Sequence, residues 1–509
     1  MGVVDLYGKL VSTNAGIGES HGAIVCTSGF MTRCVFTARV AEFARELRSA
    51  GIGSGDAVAV LLGNGVEFLI AAFGIWRVGA VLAPLNPQLR MFEVVRCLGG
   101  IHARALVAEA RSDSISSSAT QECDFLDTIW LCSVDKWPWL RSDNSHSNRG
   151  LNGESSANPI VLADAPAITQ YTTGSCGIPK RITRTHAQLL AEVDSISTVF
   201  NVTSNDRVLG VAPFYHSYGL MNSALLALFS GATLYSMPHF FPSDAARIIE
   251  NERITILPAV PLMLHLLAEL RYPFYFKNLR CVVSAGATLS IETAKAFHQK
   301  YGVRIRQLYG TSESGVVCVQ AEDQRLEFGN VGRPIPGVSV KIVDQSGNCL
   351  GSGIEGRIQI QSLFSATQYD NSASIGESYF ENEHFYPGDL GELAVSGELS
   401  LRGRDRTFIN VAGRKVDPAE VERTLQELPE IAEVVVLGIP DGAAGERIKA
   451  VIVTSGSISI SDVRSHCVRR LAEFKVPKTI EVRNEIPRNS LGKILRMHLL
   501  SEVGLEPSR

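Results

Sequence analysis

A chain of 509 residues, 45% of them hydrophobic, is too long for one ordinary core and points to about two to four domains. A formal net charge of -4, with no Lys/Arg block anywhere, argues against a nucleic-acid-binding surface. The ten cysteines are scattered, with no C-x-x-C pair and no His/Cys cluster at metal-ligand spacing, and read as reduced, mostly buried thiols. No basic leader with an apolar core opens the chain, residue 6 is Leu where a myristoylation signal needs Ser or Thr, and the C-terminus is not a peroxisomal tripeptide. A cytoplasmic location is therefore expected.

Along the chain, Val40, Phe43, Ala44 and Leu47 recur at helical spacing within 38–51, and 57–62 is a continuous apolar run between Gly55-Asp56 and Gly63-Asn64. This predicts a helix, a turn and a buried strand. The apolar stretch 66–85 contains Glu67, Gly74, Arg77, Gly79 and Pro84. Its charges are costly in lipid, so it predicts a buried helix leading into a strand at 80–85 and no membrane span. A further strand at 280–284, before Gly286, continues an alternation that implies parallel sheets covered by helices, an α/β fold. Two polar stretches rich in Ser, Asn and Gly, 111–120 and 141–157, predict surface loops. After Gly403-Arg404 the pattern restarts on a smaller scale, with strands at 433–439 and 448–454 and a helix over 461–474.

The run Tyr171-Thr172-Thr173-Gly174-Ser175-Cys176-Gly177-Ile178-Pro179-Lys180 is suited to holding phosphate. Gly174 and Gly177 let successive N–H groups turn toward an anion, Thr172, Thr173 and Ser175 add hydroxyls, and Lys180 adds a charge. It is not the Walker pattern, because Pro179 precedes Lys180 and Arg181 follows it, and taken alone it also fits a flexible surface turn. Further blocks follow. They are Pro213-Phe214-Tyr215-His216-Ser217-Tyr218-Gly219-Leu220, Ser284-Ala285-Gly286-Ala287-Thr288-Leu289 and Gln307-Leu308-Tyr309-Gly310-Thr311-Ser312-Glu313, then Val331-Gly332-Arg333-Pro334, Tyr386-Pro387-Gly388-Asp389-Leu390-Gly391 and Gly403-Arg404-Asp405-Arg406. The last two are Gly413-Arg414-Lys415-Val416-Asp417-Pro418-Ala419-Glu420 and Pro487-Arg488-Asn489-Ser490-Leu491-Gly492-Lys493-Ile494. In this order, from about residue 80 through Lys493, the chain resembles the adenylate-forming superfamily of acyl-CoA synthetases, carrier-protein-loading adenylation domains and luciferases, and within it the acyl- or aryl-acid:CoA ligases.

The resemblance implies a large N-terminal adenylation domain of α/β subdomains over 1–403, a hinge at 404–406 and a small mobile α/β lid over 407–509. Arg406 matches the hinge residue, where relatives carry Asp or Lys. It implies a ligase using ATP, Mg²⁺ and CoA. A carboxylate is a poor electrophile because its leaving group would be oxide, so ATP first converts it to an acyl-adenylate, releasing pyrophosphate, and a thiol then attacks the carbonyl. Lys493 matches the lysine that cancels repulsion between the anionic partners of the first step. Glu313 matches the Mg²⁺ ligand, with Ser312 where relatives have Thr, and Gly310 and Thr311 complete that motif. Tyr309 is expected to stack on adenine, with Gly286, Ala287 and Gln307 around the base. Asp389 is placed to accept from both ribose hydroxyls, and Arg404 to reach ribose or phosphate.

His216 matches the gate between acyl pocket and adenylate, although a lone histidine is more often a core residue. Amino-acid-activating relatives carry Asp near Tyr215, so its absence favours an apolar or aromatic acid. Tyr218, Met221, Ala285, Leu308 and Ser314 are expected to line the acid pocket, with Leu308 replacing a glycine common in aryl-CoA ligases. Gly413 matches the glycine that lets a pantetheine arm run past the backbone. Two residues depart from the family. Cys176 stands for Thr, a weaker donor, and Arg181 for Gly, either stiffening the loop or lending a charge to phosphate. Two alternatives follow: a ligase loading a carrier-protein phosphopantetheine, and a non-adenylating homologue that only carries a preformed acyl-adenylate to the thioester.

Overall fold

Helix Arg33–Ser49 begins at Thr32, whose hydroxyl accepts from the Val35 N–H, and turns through Ala50 and Gly51 toward strand Ala57–Leu61. Phe36, Val40, Phe43, Ala44 and Leu47 are its buried residues, and they share one core with helix Val66–Arg77. Residues 66–85 thus form the buried helix expected, followed by strand Val81–Pro84. The computed structural model describes residues 5–15, 24–26, 29–109, 126–133, 136–143, 160–172, 180–287, 289–324, 327, 329–370, 379–404, 409–487 and 499. Among these, no helix is long and apolar enough to cross a membrane.

Two large sheets dominate. In the first, Thr128–Ser133, Ala105–Glu109, Ala57–Leu61, Val81–Pro84 and Pro166–Thr172 run parallel, with Lys136–Asp143 and Lys180–Thr185 as antiparallel edges. In the second, Ile24–Cys26, Thr233–Ser236, Arg207–Gly210, Ile256–Ala259, Cys281–Ser284 and Ile305–Thr311 run parallel. Ile305–Thr311 then pairs antiparallel with Gly315–Val319 and so leads into the antiparallel strands Asn330–Pro334, Leu399–Arg404, Asp389–Leu393 and Gly356–Ser362. Gly310 is required in that turn-back, because a Cβ there would stand 2.6 Å from the Gly315 carbonyl oxygen.

A smaller core follows. Strands Ile431–Pro440 and Glu446–Thr454 pair antiparallel, Thr479–Arg483 joins in parallel, and Val421, Leu425, Val463 and Cys467 from helices Pro418–Gln426 and Ile460–Arg470 pack with them. A hairpin of Ile409–Val411 and Arg414–Val416 precedes this unit. The helix expected over 461–474 stops at Arg470. Leu471 is extended and buried, and a single 3-10 turn, Glu473–Lys475, precedes Val476-Pro477, where proline disfavours helix. The loop expected at 141–157 starts later, since Arg141 to Asp143 belong to an edge strand, and both 111–120 and 144–157 lie outside the described residues. Of the eight described cysteines, Cys132, Cys281, Cys318 and Cys467 are buried while Cys34 and Cys349 are exposed, so the thiols are less uniformly interior than expected.

One buried ion pair joins the two large sheets. Arg184, on edge strand Lys180–Thr185, donates to Glu192 at 2.5 Å, with the two side chains 1% and 2% exposed. Glu192 lies on helix His186–Phe200 and its other oxygen accepts from the Val316 N–H at 3.1 Å. Replacing Arg184 with Ala strands that carboxylate in the interior and is expected to cost about 3–5 kcal/mol of stability, read by calorimetric unfolding. A loss below about 1 kcal/mol would mean that Glu192 finds another partner.

Candidate active site

The carboxyl ends of parallel strands from both large sheets, where ligands gather in such folds, open onto a cavity of about 630 Å³. Pro84 and Leu85 come from the first sheet, and Pro213, Val260 and Ala285 from the second. The C-terminal unit adds to the wall through Gly413, Arg414, Lys415, Phe474 and Lys475.

The phosphate run forms the connection of an antiparallel hairpin, with Thr172 opposite Lys180. Thr173, Gly174, Ser175, Cys176 and Gly177 lie outside the described residues, as do Arg406 and Lys493. Lys180 reaches the cavity wall although only 4% exposed, its ammonium 3.2 Å from the Tyr379 ring centroid and 4.9 Å from that of Tyr369. Across from it the Gly310-Thr311-Ser312-Glu313 turn also lines the cavity. Glu313 is 8% exposed, and the Tyr369 hydroxyl donates to its Oε1 at 2.9 Å. Arg181 points elsewhere. Its guanidinium pairs with Asp370 at 3.0 Å and hydrogen-bonds the Gly100 carbonyl, so the charge offered to phosphate in the sequence reading is met within the protein.

The residues expected around adenosine divide. Gly286 lines the cavity, whereas Ala287, Gln307, Tyr309 and Asp389 lie outside its wall. The Gln307 amide donates to the Asn330 carbonyl, and the Tyr309 hydroxyl donates to Asp389 Oδ2 at 2.6 Å, so these last two join each other directly behind cavity-lining Gly388. Arg404 ends strand Leu399–Arg404 opposite Asp389.

Of the expected acid-pocket residues, Tyr218, Ala285 and Leu308 line the cavity, while Met221 and Ser314 are packed behind it. Ser314 hydrogen-bonds Thr311 within the turn. Asn222, not expected, takes the place of Met221 in the wall. Both lie in the π-helical turn Leu220–Leu225, whose wider winding changes which side chains face inward. Tyr218 is anchored by its hydroxyl, which donates to the Ala259 and Val283 carbonyls at 3.2 and 3.0 Å. His216 is exposed to the open cavity, which itself lies between the two units. Desolvation by the protein around the cavity, with Arg414 and Lys415 nearby, lowers its pKa to about 4, so the ring is neutral near pH 7.

The C-terminal unit is held by contacts whose partners on the large unit, Glu93 and Gln88, no sequence motif marked. Lys475 donates to Glu93 at 2.8 Å, on helix Met91–Ile101 of the large unit, and to Glu420 at 3.0 Å on the lid itself. Burial pulls the Lys475 ammonium down, but Glu420 and Glu93 outweigh it and its pKa is raised. Arg414 donates to Gln88 at 2.7 Å and lies over the Phe474 ring. This docking brings Gly413 to the cavity with φ +83°, where a Cβ would stand 3.8 Å from Val260. Tyr369, Tyr379, Glu93 and Lys475 were all missed by sequence reading. A tyrosine or an ion pair distant in the chain leaves no local signature.

A profile of the AMP-binding enzyme family matches residues 18–369, and one of the AMP-binding enzyme C-terminal domain matches 420–493. The chain is 29% identical over 477 residues to the long-chain-fatty-acid–CoA ligase FadD13 of Mycobacterium tuberculosis, spanning 92% of each. It is 28% identical over 491 residues to the indoleacetate–CoA ligase of Aromatoleum aromaticum, spanning 95% of each. Its fold is similar to that of a double mutant of the o-succinylbenzoate CoA synthetase MenE of Bacillus subtilis, bound with the product analogue OSB-NCoA. The TM-score is 0.83 at 25% identity, over 97% of this chain and 98% of that one.

The His216 imidazole is expected to stay neutral from about pH 8 down to about pH 5 and to protonate only near pH 4, followed by NMR of the ring nitrogens. A midpoint at the ordinary 6.5 would mean that the ring is open to bulk water.

Proposed function

Because the chain belongs to the AMP-binding enzyme family, we propose that it is an acid:CoA ligase, acting on an apolar or aromatic carboxylic acid. The observation that carries this reading is a single cavity into which Lys180 and Glu313 open from the large unit and Gly413 from the lid. In the first step a carboxylate oxygen of the acid attacks the α-phosphorus of ATP, and pyrophosphate leaves with the bonding electrons. In the second, the CoA sulfur attacks the carbonyl carbon, AMP leaves, and the thiol proton is released.

Lys180 and the hairpin connection are assigned to the phosphates, and Lys493 to the attacking and α-phosphate oxygens. Glu313 offers one anionic oxygen group set in the wall, the donor type that suits Mg²⁺, which keeps most of its waters. Mg²⁺ held there supplies neutralising charge to the phosphate oxygens. Asp389, oriented by the Tyr309 hydroxyl, is assigned to the ribose. Val260, Ala285, Leu308 and Val316 form an apolar lining, and neutral His216 adds no cation to hold a second carboxylate, which supports an apolar acid. The docked lid, with Gly413 at the cavity, suits entry of a pantetheine arm. The lid over 407–509 is taken to turn on a hinge at 404–406 to bring Lys493 in for the first step.

Pyrophosphate exchange into ATP, across a panel of carboxylic acids, tests the first half-reaction alone. Exchange with apolar or aromatic acids is expected, followed by thioester formation on free CoA. No exchange, with turnover of supplied acyl-adenylate, would establish instead a protein that performs only the second step. Product on a holo-carrier protein but not on CoA would replace the acceptor.

The two steps are expected to separate by mutation. Lys493→Ala should lower exchange by about a hundred- to a thousandfold while sparing thioester formation from supplied adenylate. Gly413→Leu should do the opposite, losing about a hundredfold in thioester formation, because a side chain at φ +83° is strained and fills the path beside Val260. Equal loss of both steps in either variant would remove that residue from its assigned role.

A further inference from the structure

Almost none of the Lys180 side chain is exposed in the cavity wall, and an ammonium buried in this way needs compensation. The Tyr369 and Tyr379 rings stand 5.6 Å apart at 85°, forming a corner, and the Lys180 ammonium lies within it. A ring face attracts a cation without cancelling its charge, as a carboxylate would. Tyr369 does a second thing at once, donating its hydroxyl to Glu313. Burial and the adjacent carboxylate push this phenol well above its ordinary range, so it remains a donor. Tyr369 and its neighbours are themselves stitched to the lysine strand. Tyr369 bridges Ile182, the Asp370 N–H donates to the Arg181 carbonyl, and the Arg181 guanidinium pairs with the Asp370 carboxylate. The Ala366 N–H donates to the Glu313 carbonyl at the other end.

We infer that Tyr369 and Tyr379 are positioning residues forming an aromatic brace, which sets the Lys180 ammonium and the Glu313 carboxylate at a fixed spacing for the ATP phosphates and their metal ion. The inference rests on the function proposed above, in that it takes this end of the cavity to receive the phosphates. It also gives Arg181 a part. The arginine locks the brace to the hairpin and does not touch phosphate itself.

The test is calorimetric binding of ATP to the purified full chain, with and without Mg²⁺, alongside KM for ATP and kcat in pyrophosphate exchange. Tyr379→Leu removes a ring face and is expected to weaken ATP binding by about tenfold, in KM far more than in kcat. Tyr379→Phe restores the face and is expected to recover most of that loss, which distinguishes the brace from generic packing. Tyr369→Phe keeps its face but loses the hydroxyl, and should raise the Mg²⁺ concentration needed for half-maximal tightening of ATP binding by about fivefold. Parental ATP affinity in Tyr379→Leu, an equal loss in Tyr379→Phe, or an unchanged Mg²⁺ requirement in Tyr369→Phe would each overturn the brace while leaving the ligase reading intact. A parent protein that binds no ATP at all would overturn the ligase reading, and the brace with it.

Discussion

The working geometry of the molecule depends on one buried ammonium. Lys475 is shared between Glu93 on the large unit and Glu420 on the C-terminal unit, and this buried ion pairing holds the two together beside Gly413 and Val260. The two carboxylates are both nearly buried, and each on its own would face a heavy desolvation cost. The lysine offsets both at once, so the pair is stable only when the two units are together. The Arg414 to Gln88 bond and the ring contacts add direction to this attachment.

A second constraint acts inside the large unit. Arg184 and Glu192 tie the strand that starts at Lys180 to the turn that carries Glu313, through the Val316 N–H. The end of the cavity assigned to the phosphates is thus bounded by two segments distant in sequence and joined by a buried charge pair. The tyrosine corner and Asp370 come from a third segment, which contacts both of these at Lys180, Arg181 and Glu313. Departures from the family pattern at Cys176 and Arg181 differ in consequence. The arginine has acquired partners of its own, while the cysteine lies outside the described residues.

Much of the fold was legible because its signals are local. The run 57–62 is apolar and bounded by turn residues, and 66–85 carries the helical pattern followed by a strand, so both formed within a residue or so of expectation. The helix at 461–474 was drawn too long, since Leu471 and Ala472 read as a continuing apolar face when their burial is in fact reached through extended backbone. In the site, Lys180, Glu313, His216, Leu308 and Gly413 stand on the cavity because motif residues are defined by their own backbone turn. Met221 was misplaced by one position, since a π-helical turn leaves no mark in a pattern read at helical spacing. Tyr369, Glu93 and Lys475 act across gaps of tens to hundreds of residues, where only tertiary packing decides the partner.

In strand Ile305–Thr311 the residues from Gln307 to Gly310 alternate across the sheet before the chain turns at Thr311. Leu308 and Gly310 face the cavity, while Gln307 and Tyr309 face the antiparallel strands behind it, where Tyr309 packs with Val317, Cys318 and Val331. A change of residue on one parity need not disturb the other. Selection on the cavity can therefore act at Leu308 while the Tyr309 to Asp389 contact behind it is inherited intact, since the two stand on opposite sides of the same strand.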